Sequence, residues 1–130
     1  MSKAIEQEIA DYLITNLNGL VPVRVSEQAD RLPESDYISV HLEQQTLRIP
    51  NVTNIFDHRV RVLLRMHYAD KTSAQVDEAS DVIMNALVEP TLKDTLNAYE
   101  VKLMDTRSTT LENYWEREFN LEILRVDMAS

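Results

Sequence analysis

The sequence predicts an α+β domain: an antiparallel or mixed β-sheet of about four strands, two helices packed on one of its faces, and long hairpin arms. Three observations lead there. Residues 58–68 alternate, so that Val60, Val62, Leu64, Met66 and Tyr68 share one side while Arg59, Arg61, Leu63, Arg65 and His67 share the other. Residues 72–88 carry Val76, Ala79, Val82, Ile83, Ala86 and Leu87 on one helical stripe. The chain closes with two further alternating runs, residues 99–106 and 114–126, separated by a polar stretch.

The elements follow in order. Residues 2–18 place Ile5, Ile9, Tyr12, Leu13, Asn16 and Leu17 near helical spacing. Glu6, Glu8 and Asp11 lie in the early turns, where the helix dipole favours anions, and Gly19 stands as the C-terminal cap. Val21, Val23 and Val25 alternate with Pro22 and Arg24; because proline cannot donate to a ladder, this reads as a short edge strand or an extended piece. Residues 26–36, with Pro33, read as a loop. Residues 37–42 then alternate Ile38, Val40 and Leu42 against Ser39 and His41, and pair with the strand at 57–68.

Between those strands, residues 43–56 hold Leu47, Ile49, Val52, Ile55 and Phe56 amid glutamine, threonine and asparagine, which is too apolar for an idle solvent loop. They form either a long hairpin arm turning near Pro50 and Asn51, or a loop folded back on its own core. The second helix begins at a Thr72/Gln75 capping box and stops before Pro90; residues 91–97 add a helical turn. In the last hairpin Tyr99, Val101 and Leu103 oppose Glu100 and Lys102, and Phe119, Leu121 and Ile123 oppose Glu116, Glu118 and Glu122, with residues 107–113 as the connection. Residues 127–130 fray. No repeat, low-complexity tract or linker divides the chain, so residues 1–130 read as one domain.

Composition narrows the function. With 44% hydrophobic and 27% charged residues the chain is an ordinary globular one. It has no cysteine, which removes disulfides, thiolate metal sites and thiol nucleophiles. Its one glycine excludes the glycine-rich loops that cradle phosphates. The N-terminus has carboxylates where a secretory signal needs an apolar core, and no apolar run is long enough to span a membrane; we expect neither secretion by that route nor membrane association. The formal net charge of -9 opposes broad nucleic-acid binding.

Catalytic chemistry finds little to hold. His41, His58 and His67 all fall on or beside the first hairpin, but parity puts His58 and His67 on opposite faces and no short paired spacing suggests a zinc site, so no metal or cofactor is expected. Carboxylate pairs arise by chance in so acidic a chain, and Ser39, Ser73 and Ser108 lack the glycines of a nucleophile elbow. We expect no enzymatic activity. The adjacent Tyr114 and Trp115 read either as an exposed anchor or, more simply, as packing at the sheet end.

The basic stripe has three readings. Arg59, Arg61 and Arg65 meet Glu116, Glu118 and Glu122 on a neighbouring strand of the same chain; or the same complementarity, with His67, operates between subunits; or the arginines contact phosphate. Leu47, Ile49, Val52, Ile55 and Phe56 join these charged residues as the candidate subunit interface.

Taken together, the amphipathic first helix, the Leu-Pro-Glu-Ser-Asp-Tyr-Ile-Ser-Val-His-Leu approach into a strand at residues 32–42, the alternating strand from Arg59 to Tyr68, the immediate helix and the closing Trp-Glu-Arg-Glu-Phe-Asn-Leu-Glu-Ile strand at 115–123 resemble the tail terminator, or tail completion, proteins of long-tailed bacteriophages. The resemblance covers most of the chain and lies in element order, length and hydrophobic texture, with no diagnostic motif. It implies a virion protein of the tail, assembled in the bacterial host cytoplasm as a homohexameric ring, in some cases only on the tail. The ring would sit at the head-proximal end, stop tail tube polymerisation and present the head-tail joining surface. The implied partners are other copies of the chain, the tail tube protein and the head connector protein. DNA would pass through an anionic lumen without specific binding. The alternative is a small soluble enzyme or accessory binding domain whose pocket the sequence conceals.

Overall fold

The computed structural model describes residues 4–17, 23–25, 36–48, 55–67, 72–110 and 114–126. Its elements are α1 (Ile5–Leu17), β1 (Val23–Val25), β2 (Tyr37–Arg48), β3 (Ile55–His67), α2 (Ser73–Val88), α3 (Pro90–Thr95), β4 (Glu100–Thr110) and β5 (Tyr114–Val126). The fold is α+β, as expected. The strands form one mixed sheet in the order β1-β2-β3-β5-β4. Short β1 runs parallel to β2, whereas along β2, β3, β5 and β4 each strand is antiparallel to its neighbour.

All helices serve one sheet face. α1 lies against β1 and β2, and α2 against β4 and β5. The core joins Ile5, Ile9, Leu13 and Leu17 of α1 and Val76, Ile83 and Leu87 of α2 to Ile38 and Val40, Val60, Val62, Leu64 and Met66, and Phe119, Leu121 and Ile123. Each such side chain fully withdrawn from water contributes about 1.5–3 kcal/mol, so the alternating pattern decides which face the helices cover. The Tyr12 hydroxyl donates to the Ala86 carbonyl at 2.7 Å, tying α1 to the end of α2, and burial pushes its pKa up.

Helix ends follow local chemistry. The Thr72 side chain accepts from the Gln75 amide at 3.2 Å, while Gln75 Oε1 accepts from the Thr72 amide at 2.9 Å, completing the anticipated capping box. α2 ends at Val88; Glu89 is extended, as the residue before a proline prefers, and Pro90 opens α3. α3 closes on Asn97 at φ 53°, with the Asn97 amide on the Asp94 carbonyl and the Ala98 amide on the Lys93 carbonyl, a Schellman termination with asparagine in glycine's place.

Several expectations need correction. Asn16, placed on the buried stripe of α1, is exposed and donates to the Tyr12 carbonyl at 2.7 Å, while Ala10 is buried instead. Val82 is 43% exposed, because α2 presents to the sheet a stripe narrower than the run of apolar residues. Tyr99, assigned to the inward side of a strand, is 62% exposed and precedes β4. Residues 107–110, read as connection, belong to β4, where β-branched threonines and cross-strand partners extend the ladder to Thr110↔Trp115.

Long hairpin arms are not seen over the described residues. β2 continues to Arg48 opposite Ile55, and β5 runs along the other side of β3 as far as Val126, so Ile55 and Phe56 lie in the middle of three strands rather than in a free arm. Ile49, Val52, Gly19 and Tyr68 lie outside the described residues.

Candidate functional site: the charged sheet face

The face of the sheet opposite the helices carries the basic stripe, and the antiparallel register of β3 with β5 determines what it meets. Arg59 stands opposite Glu122, Arg61 opposite Asn120, Leu63 opposite Glu118 and Arg65 opposite Glu116. Arg59 Nη2 donates to Glu122 Oε2 at 2.5 Å, Arg65 Nε to Glu116 Oε2 at 2.7 Å, and Arg61 Nη1 to Glu118 Oε1 at 3.4 Å. The three arginines therefore meet the three glutamates within one chain. Directly opposed charges on neighbouring strands contribute about 0.2–1 kcal/mol each, and salt screens the more exposed pairs.

Further partners complete the network. Arg65 Nη1 donates to the Tyr37 hydroxyl at 2.6 Å, and its guanidinium carbon lies 5.8 Å from the Tyr37 ring centroid. Burial alone would lower the Arg65 pKa, but hydrogen bonds to Glu116 and Tyr37 outweigh it and hold it above its ordinary value. Arg59 Nε approaches Asp57 at 3.4 Å, and Arg61 Nε reaches Glu43 at 2.6 Å. Glu118 also accepts from Asn120 at 3.0 Å and lies 3.8 Å from Arg107. His67 finds no glutamate; its amide donates to Asp36 Oδ1 at 2.8 Å, and Nδ1 lies 3.1 Å from the same oxygen.

Two bulges shape this face. β2 slips between Leu42 and Gln44, and β4 between Leu103 and Asp105. Each extra residue reverses the parity of the strand beyond it. Gln44 and Thr46 thereby join Arg59 and Asp57 on the charged face, and Asp105, Arg107 and Thr109 join Asn120, Glu118 and Glu116. The bulges flank a shallow cleft of about 440 Å³ lined by Arg59, Arg61, Met104, Arg107, Glu118 and Asn120. Its cations and anions already neutralise one another, so it offers no concentrated field to a charged ligand.

The Glu43 and Arg107 contacts escaped sequence reading because strict alternation assumes an unbroken register. Asp36 preceded the alternating run, and its contact depends on where β2 starts against the end of β3. A carboxylate beside a strand start was the only signal available.

The histidines diverge. His41 Nε2 lies 2.8 Å from Ser39 Oγ on the charged face. His58, on the helix side as parity indicated, is 3% exposed, and neither ring nitrogen has a hydrogen-bond partner. Its ring centroid lies 5.9 Å from that of Phe56. Burial, then the Arg125 cation, lower its pKa to about 4, with Asp57 opposing; Arg125 is itself held by Glu8 of α1 at 2.8 Å. Among the described residues no group of three or more histidine and carboxylate side chains is placed to hold a metal ion, and no helix is long and apolar enough to cross a membrane. Trp115 packs partly buried against the core.

Compared with known proteins, the chain matches no protein-family model and no curated protein.

Proposed function

We propose that this chain is the structural subunit of a homo-oligomeric ring at the head-proximal end of a phage tail, a hexamer that ends tail tube polymerisation and presents the surface joined by the head connector. The reading is carried by the order of elements: an amphipathic helix, a short strand, a hairpin, a capped helix continued by the short α3, and a second hairpin, an order on which the resemblance to tail terminators rests. The net charge of -9 supports it further, because an anionic lumen lets DNA slide without the phosphate contacts that would arrest it. In this role the arginine ladder stiffens the subunit, its charges engaged with Glu116, Glu118 and Glu122.

Native mass measurement across concentration, paired with negative-stain imaging, tests the reading. Assemblies of six subunits and annular particles support it. A monomer at every concentration, and no association with preformed tail tubes, would overturn it and favour a small enzyme or binding domain.

A further inference from the structure

Among the described residues the sheet has two open edges. β4 is an edge strand along its whole length, and β1 covers β2 only at Ile38, Ser39 and Val40. Among the described residues no strand pairs with the outer side of β4 or with β2 beyond Val40. Both segments face water: residues 43–47 and 104–110 are all exposed. Edge strands are usually blunted by proline, dense charge or shortness. Here the stretches beyond the two bulges, residues 44–48 and 105–110, contain no proline, are rich in threonine and glutamine, and run five and six residues without further irregularity.

The edges also suit one another. β2, β3, β5 and β4 alternate in direction, so β2 and β4 run oppositely. When one copy repeats beside another with its sheet in the same sense, β4 of the first and β2 of the second meet antiparallel, the more stable pairing. The pleat then selects a register. Thr106 and Ser108 point to the helix side, opposite Phe119 and Arg117, and so do Gln45 and Leu47, opposite His58 and Phe56. Arg107 and Thr109, like Gln44 and Thr46, point to the charged side.

We propose that β4 of one copy pairs antiparallel with the outer edge of β2 of the next, Thr106 opposite Leu47 and Arg107 opposite Thr46, continuing the sheet from subunit to subunit. The pairing covers Leu47, an apolar side chain 43% exposed at this edge, and gives each backbone edge its missing ladder. The two edges are different surfaces, so the contact is head-to-tail, the kind that closes into a ring when the rotation allows. The inference deepens the ring reading and rests on it.

The chain has no cysteine, so introduced thiols report contacts without background. Single variants Thr106→Cys and Leu47→Cys, and separately Arg107→Cys and Thr46→Cys, are mixed pairwise under mild oxidation. Far-UV circular dichroism checks that each is folded. Consecutive antiparallel pairs alternate between wide and narrow, so at least one of the two pairings brings its Cβ atoms close enough for a disulfide. The expected result is a cross-linked dimer from a β4 variant mixed with its β2 counterpart in at least one pairing, none from any single variant alone, and a ladder of oligomers from the chain carrying both cysteines of the pairing that links. Self-linking of Thr106→Cys would overturn the inference in favour of β4 pairing with itself. Oligomers by native mass with no cross-link in either mixture would overturn it while leaving the ring standing. A monomer throughout would remove both.

Discussion

Arg65 donates through Nε to Glu116 Oε2 at 2.7 Å, joining residues 51 positions apart across the centre of the sheet, and the Arg65 side chain is 22% exposed. It is the least exposed of the three arginine pairs, and the Tyr37 hydroxyl at 2.6 Å fixes it from β2. A double-mutant cycle of Arg65→Ala and Glu116→Ala, followed by urea unfolding, is expected to show a coupling of about 1 kcal/mol, with the corresponding Arg61/Glu118 cycle smaller because that contact spans 3.4 Å at greater exposure. Equal couplings would refute the assignment of Arg65 as the central pair.

His58 makes stability depend on pH. Its folded pKa of about 4 lies below the ordinary value of 6.5, so between those values the unfolded chain binds the proton more readily. Stability is therefore full above pH 6.5 and falls as pH drops toward 4, by about 2 kcal/mol at pH 5. His58→Leu should flatten that part of the profile in urea midpoints measured from pH 7 to pH 5. An unchanged slope would show that folding does not depress the His58 pKa.

Asn97 occupies the left-handed region at φ 53°, where a side chain is tolerated at a cost. Asn97→Gly should be neutral or stabilising by a few tenths of a kcal/mol, and Asn97→Val destabilising by about 1–2 kcal/mol, since a β-branched residue clashes there. Thermal unfolding of both variants distinguishes this from a position without backbone constraint, where valine would cost no more than glycine.

Thr72→Ala removes the oxygen that accepts from the Gln75 amide and should lower stability by about 1 kcal/mol. Thr72→Ser should recover most of it. If serine and alanine behave alike, the capping bond contributes nothing.

The parts of the fold that were legible all depend on neighbours in the chain. The inward faces of Val60 to Met66 and of Phe119 to Ile123 followed from a period of two, and the start of α2 from Thr72 and Gln75. The misplacements have a common source. Val82 satisfied the helical stripe and Tyr99 the strand alternation, yet each lies just beyond the area its neighbours cover. Periodicity states which side a residue shares, and only the extent of the packed layer decides where that side ends.

The sequence by itself determined that Arg59, Arg61 and Arg65 lie in one row and Glu116, Glu118 and Glu122 in another, because alternation is a property of a single strand. The tertiary structure alone decided that the two rows belong to adjacent strands, that Glu43 and Arg107 join them, and that among the described residues β4 and the far half of β2 are left without a neighbour on their outer sides. The physical reason is that register and bulges are set between strands, by hydrogen-bond ladders closing over tens of residues, and no local pattern records which ladder closes.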